Sequence, residues 1–333
     1  MRLHGPRLRR IVAGVVLAGL TGLVAMAGCT AGGSARPPDP ARGTVLISTG
    51  AVGGVYYTWG TSLAAQLHVT DPGLDVRVES SFGSVSNLRR LTLGIADLGL
   101  TTMDTTQEQS DECETRAAAD AADQRRVPLR ALGRIYDDYL QIVVRADSSF
   151  TSVRDLAGRP VAVGGTGSGT ALVACRALTA AGVRVDEQAI DVAPGVAALR
   201  DGTVDAVFWS GGLPTGPIDA AARSMRLRLV PLGALADTMR TRYGAAYRPA
   251  TIPPGRYGGT EQVATLASPN LLVCRADADP AMVNSVLTTI FDRRDRIVAA
   301  VPAADATDRR TAVFTGSLEL HPAAVEYYRR TKS

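Results

Sequence analysis

The sequence predicts an α/β protein of two lobes with a cleft between them, and three observations support this class. Short apolar strands alternate with helical stretches almost throughout the chain, a pattern typical of parallel sheets covered by helices. Two glycine-rich loops, 49–57 and 163–170, each follow a β-branched run and precede an apolar helix. Two similar segments ending in Arg-Ala-Asp, 140–147 and 270–277, are interpreted as hinge strands that join the lobes.

The first 28 residues have the layout of a signal peptide, because four arginines precede an apolar run from Ile11 to Ala27. Small residues before Cys29 resemble a bacterial lipobox. We therefore expect cleavage before Cys29, lipidation of this cysteine and anchoring at the outer face of the cell membrane. An uncleaved membrane anchor is the alternative. Residues 29–43, rich in Gly, Ser and Pro, are predicted to be a flexible tether.

Removal of the signal peptide changes the charge of the chain. The full sequence has 36 basic and 32 acidic residues, and four of the basic ones precede Cys29. The mature chain therefore carries 32 of each sign, and this balance does not favour nucleic-acid binding. About 290 residues remain, which is enough for two ordinary domains.

The first half of the mature chain reads as a βαβαβ unit. The predicted strands are 44–48, 74–80, 96–101, 129–135 and 139–144, the predicted helices are 55–67 and 85–93, and 110–126 is a helix or a surface insertion. Because consecutive strands are separated by helices, we expect a parallel sheet in this unit.

The pattern begins again at residue 160. The predicted strands are 160–163, 204–209, 228–231, 262–267 and 270–274, and the predicted helices are 170–181, 196–200, 234–242 and 280–299. With the hinge strands in place, lobe I comprises 44–145 and 270–333, and lobe II, 146–269, is inserted in it.

The cysteines and histidines give no pattern typical of a metal site. Cys113, Cys175 and Cys274 lack CxxC spacing, and His68 and His321 have no neighbouring ligands. We expect no metal and no cofactor. An extracytoplasmic location permits one disulfide and leaves one thiol over, and the sequence does not choose the pair. Cys175 is expected to stay free, as a small buried helix residue.

The glycine loops do not match the nucleotide-binding motifs. The second loop ends in Gly169-Thr170 without the lysine of a P-loop, and Thr170 and Leu172 stand where a dinucleotide fingerprint needs glycine. No Gly-x-Ser-x-Gly elbow occurs and the only lysine is Lys332, so we do not expect an enzyme. Loop amides at a helix start can bind an anion, although glycine in a tight turn is the alternative.

The two loops are thus predicted to hold a small organic anion. The predicted binding residues are Gly53, Gly54, Val55, Tyr56, Ser84, Gly167, Ser168, Gly169, Thr170 and Trp209. Arg134 is the candidate for a bidentate contact. Ser84 could instead be a helix N-cap, and Tyr56 and Trp209 could be ordinary core aromatics.

Several motifs, in their order along the chain, resemble the TAXI family of solute receptors, the extracytoplasmic binding proteins associated with TRAP transporters. They lie at 49–57, 79–88, 97–100, 153–158, 163–170, 201–206, 211–214 and 252–257. The resemblance implies a type II periplasmic-binding fold that captures a small carboxylate or amino acid for a TRAP membrane permease. Ala51-Val52 and Thr101-Thr102-Met103-Asp104 depart from the family pattern. An enzyme on the same scaffold and a ligand-sensing lipoprotein are the alternatives.

Overall fold

The computed structural model describes residues 43–107, 111–117 and 127–331. The predicted signal peptide, Cys29 and all but the last residue of the predicted tether lie outside these ranges. The strands are β1 (Thr44–Ser48), β2 (Asp75–Glu79), β3 (Leu98–Thr102), β4 (Leu129–Arg145), β5 (Pro160–Ala162), β6 (Asp186–Gln188), β7 (Ala206–Gly211), β8 (Leu227–Leu229), β9 (Arg248–Ile252) and β10 (Val263–Arg275).

Helices cover both faces of the strands. They are α1 (Val55–Thr70), α2 (Ser84–Thr92), α3 (Glu112–Ala117), α4 (Gly169–Ala181), α5 (Val192–Arg200), α6 (Gly216–Ala222), α7 (Ala236–Tyr243), α8 (Pro280–Asp292), α9 (Arg294–Ala300), α10 (Arg309–Ala312) and α11 (Pro322–Arg330). Short 3₁₀ turns lie at Met103–Thr106, Val153–Leu156, Gly233–Leu235, Arg256–Gly258 and Pro302–Ala306. None of the helices in the described ranges is long and apolar enough to cross a membrane.

The strands form one mixed sheet of ten, in the order β2-β1-β3-β10-β4-β7-β5-β6, with β9 beside β10 and β8 beside β4. At one end β1 pairs in parallel with β2 and β3. At the other end β5 pairs in parallel with β6 and β7. We call the half that contains β1–β3 lobe I and the half that contains β5–β7 lobe II. The predicted two-lobed α/β fold is confirmed.

The two central strands, β4 and β10, connect the lobes. Residues 129–139 of β4 pair with β10, and residues 139–143 pair with β7 of lobe II. Residues 270–274 of β10 pair with β3 of lobe I. Each strand was expected as two shorter ones, but each is continuous because every part of it has a partner strand. The residue boundaries predicted for the lobes stay a prediction, since the sheet passes through both halves without a break.

Each lobe has its own apolar core. In lobe I, Trp59, Leu63 and Leu67 lie four residues apart on α1 and are almost fully buried against the sheet and the C-terminal helices. A spacing of four keeps them on one face of the helix. In lobe II, helices α4 and α7 pack on one face of the sheet, and α5 and α6 pack on the other. The lobes are therefore separately packed bodies on a shared sheet.

The connection between β3 and β4 also reaches lobe II. Cys113 on α3 forms a disulfide with Cys175 on α4, and the two Cα atoms lie 5.7 Å apart. The expectation that Cys175 stays free is therefore wrong: its position on α4 faces the connection rather than a closed core. Cys274 is the free cysteine among the described residues, and burial raises the pKa of its thiol to about 12.

A buried ion cluster accompanies the disulfide. Arg176, the residue after Cys175, donates from Nε to Asp111 Oδ2 at 2.9 Å and from Nη1 to the Tyr247 hydroxyl at 3.2 Å. The same hydroxyl donates to Asp104 Oδ2 at 2.6 Å. Asp104 and Asp111 lie in the β3–β4 connection, so this segment is tied to lobe II by charge as well as by a covalent bond.

Candidate functional site

A cavity of about 40 Å³ lies between the lobes, with room for a few water molecules or one small ligand group. Both lobes contribute to its walls. The lining residues are Gly50, Ala51, Gly54, Val55, Tyr56, Phe82, Gly83, Ser84, Asp138, Ser168, Gly169, Thr170, Asp191, Trp209, Ser210 and Gly211. The cavity therefore lies where ligands bind in α/β proteins, beyond the carboxyl ends of the parallel strands.

The first glycine loop brings the start of α1 to the cavity. Gly54 is the N-cap of this helix, and no side chain caps the first turn, so backbone N–H groups at the helix start remain available to a ligand. A Cβ on Gly54 would lie 3.0 Å from the Ala51 carbonyl oxygen and 3.6 Å from the Trp209 ring. The loop is thus tightly folded beneath an aromatic side chain from lobe II.

The second glycine loop brings the start of α4 to the opposite wall. Ser168 is the N-cap, and its Oγ accepts a hydrogen bond from the Ala171 N–H at 3.0 Å. The Thr170 Oγ1 accepts one from the Ser210 N–H at 3.1 Å. The oxygens of both hydroxyls therefore stabilise lobe II, which leaves their hydrogens as donors toward a ligand.

The two walls touch each other at one edge of the cavity. The Ser86 N–H of α2 donates to the Gly167 carbonyl oxygen at 3.1 Å. A Cβ on Gly169 would lie only 2.7 Å from the Ser84 Oγ. The lobes are thus closed on each other here, and the absence of a side chain at residue 169 permits this approach.

A network of hydrogen bonds links the two lobes below the cavity. The Tyr56 hydroxyl lies 3.2 Å from the Ser84 Oγ and donates to Asn270 Oδ1 at 2.5 Å. Asn270 Nδ2 in turn donates to Asp138 Oδ1 at 2.7 Å. The Ser210 Oγ of lobe II lies 3.4 Å from Asp138 Oδ2. The network joins α1, β10, β4 and β7 through side chains.

Asp138 is the electrostatic centre of this network. Its side chain is 4% exposed, and burial raises its pKa from 3.8 to about 7, with the charges of Asp104 and Asp137 acting in the same direction. The hydrogen bonds from Asn270 and Ser210 act in the opposite direction. Burial, with the charge of Asp138 second, also raises the pKa of Tyr56 well above 10, so this hydroxyl stays neutral and able to donate.

The predicted site residues fall into two groups. Those that line the cavity are Gly54, Val55, Tyr56, Ser84, Ser168, Gly169, Thr170 and Trp209. Gly53 and Gly167 belong to the same loops but are not among the lining residues. Arg134 lies elsewhere on β4, where its guanidinium pairs with both oxygens of Asp137 at 2.8 and 3.0 Å.

Three of the residues that line the cavity also have structural roles. Ser84 is the first residue of α2 rather than its N-cap, which is Gly83, and its Oγ accepts from the Thr102 N–H at 3.2 Å. Tyr56 belongs to the core of lobe I and also lines the cavity. The Trp209 Nε1 donates to Thr215 Oγ1 at 2.9 Å, which fixes the ring as a cavity wall.

Sequence reasoning missed two acidic residues that line the cavity, Asp138 and Asp191. Asp191 directly precedes α5, and an aspartate at a helix start after a strand was a usable signal. Asp138 carried no such signal, because it lies within a strand beside a second aspartate. Over the described part of the chain, no three His, Cys, Asp or Glu side chains are grouped to hold a metal ion.

Comparisons with known proteins give structural relatives and a family. The chain is similar in structure to the periplasmic aliphatic sulphonate binding protein of Escherichia coli, with 18% identity, a TM-score of 0.45, and coverage of 86% of this chain and 82% of that one. It is also similar to a putative L-cystine ABC transporter protein of Listeria monocytogenes, with 16% identity, a TM-score of 0.47, and coverage of 80% and 98%. A sequence profile of the NMT1-like family matches residues 47–331, and the chain therefore belongs to the NMT1-like family.

Proposed function

We propose that the protein is the extracytoplasmic solute-binding subunit of a TRAP-type transporter of the TAXI family. It captures a small organic anion, a carboxylate or an amino acid, by closure of its two lobes and delivers it to a membrane permease. The observation that carries this proposal is the cavity between the lobes, whose walls bring the starts of α1 and α4 together. Helix starts of this kind favour a negative group.

The mechanism requires binding and motion but no chemical step. The solute enters the open cleft, its carboxylate accepts hydrogen bonds from the amides of the two loops, and the hydroxyls of Ser84, Ser168 and Thr170 add donors. Bending of β4 and β10 then brings the walls together, as in hinge closure of other two-lobed proteins. The small cavity restricts the enclosed part of the solute to a compact head group.

An extracytoplasmic location fits the disulfide between Cys113 and Cys175, because such bonds persist in oxidising compartments. We propose that the signal peptide directs export and that lipidated Cys29 holds the mature chain at the outer face of the membrane. Globomycin treatment of expressing cells should then block removal of the first 28 residues. Unaltered processing, or a mature form without lipid, would argue against the anchor.

The binding proposal is tested by calorimetry of the mature protein against amino acids, monocarboxylates and dicarboxylates. We expect one class to bind with micromolar or tighter affinity, and we expect small-angle scattering to show a smaller radius of gyration with the ligand. Heat without saturation for every compound would contradict the proposal. Chemical turnover of a bound compound would favour the enzyme alternative.

The tryptophans provide an independent optical measurement. The sequence has two, of which Trp209 lines the cavity and Trp59 is 1% exposed in the core of lobe I. Ligand binding should therefore change the fluorescence of Trp209 and leave that of Trp59 unaltered. The control variant Trp59→Phe should keep the whole ligand-dependent change. Loss of that change in the control would place the response in lobe I, outside the cavity.

A further inference from the structure

The charges around the cavity do not suit a simple anion. Two carboxylates, Asp138 and Asp191, line it, and the described lining residues include no Lys, Arg or His. The positive groups at the cavity are the helix starts of α1 and α4. A bound solute therefore meets partial positive charge at the loops and a full negative charge at Asp138, when this residue is ionised.

A comparison with the neighbouring residue shows that Asp138 is unusual. Asp137 lies on the other side of β4 and is paired with two arginines, Arg134 at 2.8 Å and Arg248 at 2.7 Å. Asp138 is more deeply buried, and its partners are the neutral donors Asn270 and Ser210. Within the described residues it has no ion pair. A buried carboxylate without a cation is costly to the fold, and such groups concentrate at functional sites.

The hydrogen bonds leave Asp138 able to accept another donor. Oδ1 accepts one short bond from Asn270, and Oδ2 has only the long contact of 3.4 Å with Ser210. An ionised carboxylate offers about four lone-pair sites, so at least one remains for a group inside the cavity. An ammonium group has three donors and a full positive charge, which is the complement that Asp138 lacks.

We propose that the solute carries an ammonium group that pairs with Asp138 in the closed cleft, so that the ligand is an amino acid or a related zwitterion. This inference rests on the proposed solute-binding function and narrows its substrate class. The carboxylate of the same ligand lies at the loop amides, and the ammonium lies at the base of the cavity. A simple carboxylic acid satisfies only the first of these two contacts.

The groups that face Asp138 determine how this contact depends on pH. They are Tyr56 from α1, Asp104 from the turn after β3, and Tyr136 and Asp137 on β4 itself; β10 and β7 present the non-titrating Asn270 and Ser210. Asp191 lines the same cavity. Burial raises the pKa values of both tyrosines well above 10, so they stay neutral between pH 5 and 8. Asp138, with a pKa of about 7, titrates in this range.

The sign of the proton exchange distinguishes the two ligand classes. An ammonium ion favours the ionised form of Asp138, so binding near pH 7 releases a proton and weakens by up to about tenfold for each pH unit below 7. A carboxylate placed against Asp138 favours the protonated form, so its binding takes up a proton and strengthens on acidification. The two linkages have opposite signs.

The experiment is calorimetry of the mature protein at pH 6, 7 and 8 in two buffers that differ in ionisation enthalpy. The probes are L-amino acids, each paired with the 2-hydroxy acid of the same side chain, in which a hydroxyl replaces the ammonium group. We expect one amino acid to bind at least tenfold more tightly than its hydroxy acid, with release of a proton near pH 7.

Two near-isosteric variants test whether Asp138 causes the preference for the amino acid and the release of the proton. Asp138→Asn should weaken binding of the amino acid at least tenfold, change binding of the hydroxy acid little and abolish the proton release. The matched control Asp137→Asn, altered on the neighbouring residue outside the cavity lining, should keep the preference for the amino acid. Because the charge of Asp137 helps to raise the pKa of Asp138, the proton release should persist in this control and shift toward lower pH. Thermal melts of the variants establish that they are folded.

Each other outcome contradicts the inference in a recognisable way. Tighter binding of the hydroxy acid, or proton uptake, would overturn it and leave the solute-binding function intact. A preference for the amino acid that persists in Asp138→Asn would show that another residue recognises the ammonium group. If neither class of compound binds, the proposed function fails together with the inference.

Discussion

Asp138 affects the stability of the protein as well as the binding of its proposed ligand. Burial raises its pKa from 3.8 to about 7, so between these pH values the folded chain binds this proton and the unfolded chain does not. Stability from this group is therefore greatest at acidic pH and is lost as the pH rises from about 4 to above 7. The full difference corresponds to as much as about 4 kcal/mol, at roughly 1.4 kcal/mol for each pKa unit.

The variant Asp138→Asn should remove this pH dependence. An asparagine side chain is neutral and can still accept the hydrogen bond from Asn270. We expect the free energy of unfolding of the wild type, measured with urea at pH 5 and pH 8, to fall relative to that of the variant as the pH rises. Parallel changes in the two proteins would show that Asp138 ionises in the fold as it does in water.

Among individual residues, the sequence predicted the backbone loops of the site better than its charged side chains. Glycines and small hydroxyl residues after strands identify a loop where backbone amides are exposed, and eight of the predicted residues line the cavity. Asp138 could not be recognised, because the face to which a strand residue points depends on the register of the sheet. Arg134 illustrates the same difficulty: it lies on the strand of Asp138, but its guanidinium pairs with Asp137.

Helix α4 begins at Gly169, which lies directly against Ser84 of lobe I. A methyl group on Gly169 would lie 2.7 Å from the Ser84 Oγ and 3.1 Å from its Cβ. The backbone at Gly169 has an ordinary helical conformation, and alanine is a better helix former than glycine by up to about 1 kcal/mol. The substitution Gly169→Ala should therefore oppose closure of the cleft without weakening lobe II.

We expect Gly169→Ala to reduce ligand affinity about tenfold or more, because overpacking a close contact costs about 1–3 kcal/mol. Its thermal midpoint without ligand should equal or exceed that of the wild type. Calorimetry and thermal denaturation provide the two measurements. Gly73→Ala is the matched control, since its methyl would approach no atom closer than 3.7 Å and lies outside the cavity. Unchanged affinity in Gly169→Ala would contradict the proposed role of this contact in closure.

Most elements were predictable because each lobe repeats a simple strand–helix pattern. It was harder to predict where a strand or a helix is interrupted. Asp137-Asp138 and Pro269 lie in the gaps between predicted strands, but β4 and β10 continue through them because partners on each side supply hydrogen bonds. Pro269 is tolerated at a position where the register with β4 is irregular. The predicted helix 280–299 is instead two helices, α8 and α9, that meet at Arg293.

At the scale of the whole molecule, the disulfide adds a covalent link outside the sheet. It joins residues 62 apart in sequence, and closing a loop of this length stabilises a fold by about 4 kcal/mol in the chain-entropy description. The double variant Cys113→Ser/Cys175→Ser should lose a comparable free energy of unfolding in urea. Dithiothreitol should destabilise the wild type and leave the double variant unaffected. Equal stability of the reduced and oxidised wild type would show that the link constrains little.

One contact between the lobes uses only atoms that every residue possesses. The hydrogen bond between α2 and the second loop joins the Ser86 N–H to the Gly167 carbonyl, and the nearby contact depends on a residue without a side chain. Exchange of a cavity-lining side chain such as Phe82 or Trp209 therefore leaves this backbone hydrogen bond in place. This part of closure is independent of the side chains that line the cavity, which makes the cleft a suitable starting point for redesign toward new solutes.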